Sequence, residues 1–268
     1  MLDRKRVVVI MPAYNVAGTL ERTVRELPAQ VVDEVVVVDD CSSDGTGDVG
    51  LALGCHVVRH PKNRGYGGVQ KTGYRVALER GADVVVMVHG DYQYSPRLVT
   101  SVAALLTAGA YDAVLASRML AQDPRRGGMP LYKFVANRVL TGFENTVIGA
   151  RLSEYHTGYR GFSRHLLETL ALEENSDDFV FDNQMIAQMV HAGFRIGEIS
   201  CPTRYESDSS SMSFRKGVRY GLGVVGTALE LWAHRNGVRT SARYDDRGRR
   251  LVPEAPIPLR AVNLGDRP

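Results

Sequence analysis

Two adjacent carboxylates, Asp39 and Asp40, follow a run of four valines in the stretch VVVVDDCSSDGT. A buried carboxylate is costly unless it is paired, so a specific partner is expected at this strand end. At the rim of a ligand crevice, these side chains can accept hydrogen bonds from ribose hydroxyls or from a base N–H. The alternative is that Asp40 only caps the next turn. Because adjacent strand residues point to opposite sides, one can cap while the other binds.

A second polar group, His89, Asp91 and Gln93, follows the apolar run VVVMV. Alternate residues of an extended segment share a face, so the three side chains can meet one divalent cation that bridges a diphosphate. Asp91 is the firm anionic ligand of the set, and His89 suits Mn²⁺ better than Mg²⁺. The alternative is a hydrogen-bonded turn capped by Asp91.

A glycine-rich stretch, HPKNRGYGGVQKTGY, precedes a predicted helix and carries positive charge on Lys62, Arg64 and Lys71. Glycine at position 65 lets the backbone approach a phosphate or ribose closely. A tight turn between strand and helix explains the same glycines equally well. A dinucleotide fingerprint belongs after the first strand, where this chain has PAYN, so a dinucleotide oxidoreductase is not favoured.

Strand-like and helix-like patterns alternate through the first half of the chain. The predicted strands are RVVVIMPA, DEVVVVDD, CHVVRH, ADVVVMVHGD and DAVLASR. Such runs predict an α/β fold with a mostly parallel central sheet flanked by helices. The polar groups then lie at the carboxyl edge of the sheet, where open α/β sheets bind ligands. From about residue 120 the pattern changes to long helices, a late strand and a polar loop.

The composition excludes several classes of protein. A net charge of +3 gives no case for a nucleic-acid partner. Cys41, Cys55 and Cys201 lack paired spacing, which predicts reduced thiols in a cytoplasmic protein. The longest apolar stretch, YGLGVVGTALELWA, is short, glycine-rich and contains Glu230. It predicts a helix that packs on the domain or lies at a membrane surface, rather than a span.

Several motifs occur in a characteristic order: MPAYN, VVVVDDCSSDGT, NRGYGG, HGDYQYSP, SEYHTGYRGFS, FVFDNQ and TRYESDSSS. Over residues 6–217 this order resembles the inverting family 2 glycosyltransferases with the GT-A fold. The resemblance is closest to the branch of dolichyl- and polyprenyl-phosphate mannose and glucose synthases. It implies a single Rossmann-like domain, a UDP- or GDP-linked sugar donor, a polyprenyl or dolichyl phosphate acceptor, and Mg²⁺ or Mn²⁺ as cofactor.

The resemblance also implies roles for individual residues. Asp91 and Gln93 match the metal motif, with His89 where the family has an Asp, which bears on the identity of the metal. The residues expected to bind the nucleotide sugar are Pro12, Ala13, Tyr14, Asn15, Asp39, Asp40, Gly65, Lys71, Gly90 and Arg118.

The implied catalytic residues are Asp91, Glu154, Asp182, Arg160 and Arg204. The two arginines would grip an acceptor phosphate, which is already ionised and needs no strong base. If the acceptor is a hydroxyl, Glu154 and Asp182 become the candidate general bases. The alternative for Glu154 is a role outside the site, as a surface carboxylate or as an ion-pair partner for Arg151.

Two alternative functions stay open: the same chemistry on a soluble hydroxyl or phosphate acceptor, and a non-catalytic nucleotide-sugar-binding protein. We divide the chain into a donor-binding half (1–119), an acceptor-side half (120–217), a packed or membrane-surface helix (218–237) and a poorly ordered tail (238–268). The expected location is cytoplasmic, with peripheral contact at the cytoplasmic membrane face.

Overall fold

A seven-stranded sheet forms the centre of the computed structural model, which describes residues 4–121, 129–202 and 214–252. Its strands are β1 (Val7–Ala13), β2 (Glu34–Asp39), β3 (His56–Arg59), β4 (Val84–Met87), β5 (Ala113–Ser117), β6 (Arg160–Ser163) and β7 (Ile196–Ser200). Their spatial order is β3-β2-β1-β4-β6-β5-β7. Only β6 runs antiparallel to its neighbours among these strands. The predicted mostly parallel α/β sheet is confirmed.

Helices cover both faces of the sheet. They are α1 (Ala17–Arg25), α2 (Thr46–Ala52), α3 (Gly65–Glu79), α4 (Val99–Thr107), α5 (Leu131–Ile148), α6 (Arg164–Thr169), α7 (Phe181–His191) and α8 (Phe214–Arg235). Alternate residues of β1 enter different cores: Val8 and Ile10 pack towards α3, and Val7 and Val9 pack towards α4. Burial on both faces explains why these strands read as continuous valine-rich runs.

Strand β6 is the element that the sequence patterns did not predict. It has only four residues, RGFS, and pairs antiparallel with both β4 and β5. A short strand that contains an arginine and a glycine gives neither a β-branched run nor an alternating pattern. Its insertion places the SEYHTGYRGFS motif in the middle of the sheet, beside the end of β4.

The segment after α8 corrects the expectation of a poorly ordered tail. Tyr244 and Leu251 are buried, and Arg243 donates to Asn175 Oδ1 at 2.9 Å and forms an ion pair with Glu230. These contacts hold residues 238–252 on the domain, and residues 253–268 lie outside the described part of the chain. The sequence does not predict this packing, because the buried Tyr244 and Leu251 are isolated apolar residues among Arg, Asp and Gly.

Helix α8 packs on α5 and α7, with Val224, Ala228 and Leu231 buried. Within the described residues, no helix combines the length and the apolar character that crossing a bilayer requires.

Candidate functional site

The turn after β1 and the loop after β2 are joined by hydrogen bonds. Asn15 N donates to Ser42 Oγ at 3.0 Å, and Asn15 Oδ1 accepts from Ser43 N at 2.9 Å. Asp44 and Thr46 accept from the first amides of α1, which has no capping side chain of its own. The predicted PAYN turn is therefore part of one wall at the carboxyl edge of the sheet.

Three non-glycine residues at this edge have left-handed backbone conformations. They are Asn15 (φ 53°), Cys41 (φ 66°) and Tyr92 (φ 59°), which follow β1, β2 and β4. Such conformations cost free energy and persist where the surrounding contacts impose them, often at functional sites. Arg4, at the other edge, also has a positive φ. The other three lie together at the carboxyl edge, which indicates that contacts in this region impose the backbone conformation of its loops.

The two strand-end carboxylates have different partners. Asp39 Oδ1 accepts from Ser42 N at 2.9 Å and so caps the turn after β2. Asp40 Oδ1 accepts from Arg64 N at 2.8 Å and lies 2.7 Å from His60 Nδ1. Asp40 Oδ2 accepts from Gly65 N at 3.0 Å. The alternative that Asp40 only caps the turn CSSDGT is wrong, because Asp40 anchors the start of α3 instead. This leaves Asp39 as the better candidate for a nucleotide contact.

The glycine-rich stretch faces protein rather than an open crevice. Gly65 has φ 81°, and a Cβ there would lie 2.6 Å from the Asp177 carbonyl oxygen. Lys71 is buried, and its Nζ donates to Asp177 Oδ1 at 2.8 Å and to the carbonyl of Asn175. The geometry thus differs from the prediction that Gly65 and Lys71 approach the nucleotide. Both instead fix the loop before α7 against α3.

The end of β4 meets the wall formed by the first two loops. Thr19 Oγ1 donates to the carbonyl of Gly90 at 2.8 Å, which ties α1 to the residue before Asp91. Asp91 is partly exposed, and its Oδ1 accepts from Gln93 N at 3.1 Å. The described residues contain no cluster of three His, Cys, Asp or Glu side chains placed to hold a metal ion.

A divalent cation still fits this edge, provided that the substrate supplies most of its ligands. Mg²⁺ in phosphate-transfer sites commonly uses one or two carboxylates and takes its other ligands from phosphates and water. Asp91, with one carboxylate oxygen outside the Gln93 contact, would supply that single carboxylate.

His89 is held by a relay of hydrogen bonds. Tyr66 OH lies 3.0 Å from His89 Nε2 and donates to Asp182 Oδ2 at 3.2 Å. Since the hydroxyl has one proton, His89 Nε2 must be the donor to Tyr66, and this network assigns the neutral ring a bare Nδ1. Gly158 makes room for the ring, because a Cβ there would lie 2.6 Å from His89 Nε2. His89 therefore has only Nδ1 to offer to a cation.

Arg160 lies in the interior instead of on the acceptor side. Its side chain is 0% exposed and donates to the carbonyls of Thr157, Tyr155 and Asp182 at 2.7, 2.8 and 3.1 Å. Its Nη2 also lies 3.3 Å from Asp182 Oδ2. The predicted grip of Arg160 on an acceptor phosphate is not what this geometry provides, because its donors are used within the protein. Arg160 holds Asp182, and Asp182 holds Tyr66.

Glu154 and Arg118 form a buried ion pair. Glu154 is 0% exposed and accepts from Arg118 N and Nε, both at 2.7 Å, and from Asn137 Nδ2 at 2.8 Å. Burial raises the pKa of Glu154, but the Arg118 guanidinium outweighs it and the net pKa shift is downward. Both alternatives, a surface carboxylate and a partner for Arg151, are wrong. An ionised, fully hydrogen-bonded carboxylate is also poorly placed to act as a general base.

Of the remaining predicted residues, Pro12 is partly buried, Tyr14 is exposed, and the Ala13 carbonyl accepts from Asp40 N at 2.9 Å. Arg204 lies outside the described residues. Tyr66, which was not predicted from the sequence as a site residue, stacks on Phe179 with ring centroids 5.2 Å apart. The sequence offers one indication of this role. An aromatic residue between the glycines of RGYGG has few apolar neighbours in the chain, which suggests a contact outside the core.

The fold and its carboxyl edge define a class: a GT-A glycosyltransferase domain. Residues 8–171 match the family described as "Glycosyl transferase family 2", and the chain belongs to this family.

Similar proteins include enzymes named for lipid-phosphate acceptors. The chain is 30% identical to the undecaprenyl-phosphate mannosyltransferase of Micrococcus luteus, over 72% of this chain and 82% of that protein. It is 26% identical to the UDP-N-acetylglucosamine–dolichyl-phosphate N-acetylglucosaminyltransferase of Methanococcus voltae, over 75% of this chain and 86% of that protein.

Solved structures share the fold at lower sequence identity. Glucosyl-3-phosphoglycerate synthase from Mycobacterium tuberculosis, in complex with UDP, superposes with a TM-score of 0.66 at 20% identity. The match covers 86% of this chain and 81% of that one. The same enzyme has also been solved with Mn²⁺, UDP and its product.

Proposed function

We propose that this family 2 glycosyltransferase moves a sugar from a UDP- or GDP-linked donor to the phosphate of a polyprenyl or dolichyl phosphate, with inversion at the anomeric carbon. The names of the relatives from Micrococcus luteus and Methanococcus voltae support a lipid-phosphate acceptor.

The main support for a phosphate acceptor is that Glu154 and Asp182, the two candidate general bases, already have hydrogen-bond and ion-pair partners. Glu154 is occupied by Arg118 and Asn137, and Asp182 is occupied by Gln70, Tyr66 and Arg160. A hydroxyl acceptor needs a base to remove its proton during attack. A phosphate oxygen is already an anion at neutral pH, so it attacks without one. Because both candidate bases are engaged in ion pairs, the site favours a phosphate acceptor over a hydroxyl acceptor.

On the donor side, the PAYN turn and Asp39 would bind the nucleoside, and Asp91 would hold the divalent cation. When bound, the cation neutralises charge that develops on the departing diphosphate. The relay from Asp182 through Tyr66 fixes the His89 ring near the end of β4, with Nδ1 as its one basic atom. Gln93 donates its backbone N–H to Asp91 and so orients that carboxylate.

On the acceptor side, Arg118, Glu154, Arg160 and Asp182 serve as positioning residues. Their buried pairs fix the SEYHTGYRGFS motif between β4 and β5, and Arg160 is fully buried with its described contacts to protein groups. In this proposal Arg204 is the arginine that grips the acceptor phosphate.

The test is transfer from radiolabelled UDP- and GDP-sugars to a short-chain polyprenyl phosphate, followed by extraction of the labelled lipid. We expect one donor to give a labelled lipid that depends on Mg²⁺ or Mn²⁺, and to give none with Asp91→Asn. Donor binding without transfer to any acceptor would favour the non-catalytic alternative.

A further inference from the structure

The first turns of helix α5 expose apolar side chains, whereas three polar side chains of the helix are buried. Asn137, Thr141 and Glu144 are buried against the domain. The residues on the opposite side, which are 50–65% exposed, are Leu131, Tyr132, Val135 and Val139. A surface helix normally shows the reverse arrangement. The inner polar residues are explained by the site, since Asn137 donates to Glu154, but the outer apolar residues have no such explanation.

Helix α8 has an exposed apolar stripe as well. The side chains that recur at helical spacing along it, 48–69% exposed, are Val218, Leu222, Leu229 and Trp232. Helix α8 packs against α5, and Arg235 Nη1 donates to the carbonyl of Ile148 at 2.6 Å. We call the exposed apolar side chains of the two helices the α5/α8 surface. Groups of exposed apolar side chains on two helices that pack together mark a candidate interaction site.

The exposed charged side chains that the structure describes on these two helices are all basic: Arg138, Arg219 and Arg235. The acidic residues of these helices add little negative charge there: Glu144 is buried, and the partly exposed Glu230 is paired with Arg243.

Basic charge around apolar side chains is complementary to an anionic lipid surface. A second copy of the chain would instead bring the same basic rim against itself, and like charges oppose such pairing. The charge pattern therefore selects lipid over self-association.

We propose that the α5/α8 surface docks on the face of an anionic lipid membrane, with its apolar side chains among the head groups. This inference rests on the proposed function, because docking would serve to deliver a polyprenyl phosphate from that membrane to the site. Asn137 connects the two regions physically: it is on α5 and contacts Glu154 at 2.8 Å. Docking through α5 thus brings the acceptor side of the site to the lipid surface.

The test is co-sedimentation of the full chain with vesicles of phosphatidylcholine, with and without phosphatidylglycerol. The wild-type protein should bind the anionic vesicles more tightly, and added salt should weaken that binding. The double variants Val135→Glu/Val139→Glu and Leu222→Glu/Trp232→Glu should each lower the binding about tenfold or more. All four positions are at least half exposed, so the variants should keep the thermal midpoint of the wild type.

Leu51→Glu is the matched control, because Leu51 is 56% exposed on α2, away from the α5/α8 surface. It should bind vesicles like the wild type. The proposal is overturned if the double variants sediment like the control. It is also overturned if light scattering shows a dimer that the double variants dissociate.

Transfer to a short-chain polyprenyl phosphate in detergent separates this inference from the proposed function. Both double variants should retain that transfer, because it requires no membrane. Vesicle binding that fails while detergent transfer persists removes the docking proposal alone. Vesicle binding that persists without any transfer removes the proposed function alone.

Discussion

At the scale of single residues, His89 is the feature that separates this site from the family motif it resembles. Its Nε2 is committed to Tyr66, and the proton on Tyr66 is committed to Asp182. The ring can therefore serve a cation only through Nδ1, as a neutral ligand. A neutral nitrogen is a weaker ligand for Mg²⁺ than a carboxylate and is acceptable to Mn²⁺.

Asp91 and His89 should consequently differ in what their replacement does. Asp91→Asn removes the anionic ligand and should abolish both transfer and metal-dependent nucleotide binding. His89→Ala should retain transfer with a changed ratio of Mn²⁺-supported to Mg²⁺-supported rates. Initial rates and calorimetric titration of UDP or GDP with each metal measure both effects. Equal loss in both variants with every metal would show that His89 is indispensable to the reaction.

Tyr66→Phe tests whether the relay positions His89. The variant removes the hydroxyl that fixes the ring tautomer, while the stacking surface on Phe179 remains. It should shift the Mn²⁺-to-Mg²⁺ ratio in the same direction as His89→Ala, with a smaller effect. An unchanged ratio would limit Tyr66 to packing.

Glu154→Gln addresses the buried ion pair. The substitution keeps the shape but leaves the Arg118 guanidinium without its counter-charge, and breaking such a pair typically costs about 3–5 kcal/mol. We expect the free energy of unfolding, from urea titration, to fall by an amount of that order. The matched control is Glu21→Gln, since Glu21 is in an exposed pair with Arg25 on α1. A loss no larger than that of the control would contradict the structural role of Glu154.

At the scale of elements, α5, α7 and α8 are joined by a buried polar cluster. Glu144 Oε1 accepts from Asn183 Nδ2 at 2.8 Å, and Tyr220 OH donates to Asn183 Oδ1 at 2.7 Å and lies 2.7 Å from His156 Nδ1. Glu144 Oε2 and His156 Nε2 lie 3.5 Å apart without forming a hydrogen bond. Burial lowers the pKa of His156 to about 4.

This cluster predicts a pH dependence of stability. Burial raises the pKa of Glu144 to about 8 from an ordinary value of 4.5, although Asn183 and Arg160 partly oppose the shift. Between these two values the unfolded chain releases the proton that the folded chain keeps, so rising pH lowers the free energy of unfolding. Glu144→Gln cannot ionise and should lose less stability over that window.

Urea titrations of the wild type and Glu144→Gln from pH 5 to pH 8 measure the difference. As pH rises, the free energy of unfolding of the variant relative to that of the wild type should increase by up to about 1.4 kcal/mol per pH unit. His156, whose pKa falls from an ordinary 6.5 to about 4, has the opposite effect below pH 6.5, where rising pH stabilises the fold. This contribution is common to both proteins and cancels in the difference between them. Parallel pH profiles would show that Glu144 is ionised in the folded state.

The elements differ in how well the sequence predicts them. Strands β1, β2 and β4 are predictable because burial on both faces demands uninterrupted apolar runs. Strand β6 is not, because its partners, rather than its own residues, make it a strand. For the same reason the sequence identifies strand-end carboxylates but not their roles. Which of Asp39 and Asp40 anchors the start of α3 depends on the path of residues 60–65, which no local pattern encodes.

At the scale of the whole molecule, the two sides of the site are built differently. In the proposed function, the donor would meet loops with imposed backbone shapes and partly exposed side chains. The acceptor would meet buried ion pairs whose carboxylates are already occupied. This asymmetry fits a reaction in which the donor needs charge stabilisation and the acceptor arrives as an anion.

The measurement that tests this account most directly compares two acceptors with the same prenyl chain, one ending in a phosphate and the other in a hydroxyl. The account predicts transfer to the polyprenyl phosphate and no measurable transfer to the polyprenol or to 3-phosphoglycerate under the same conditions. Comparable transfer to the polyprenol, or transfer to 3-phosphoglycerate alone, would contradict it, since either acceptor hydroxyl requires a base that Glu154 and Asp182 are not free to provide.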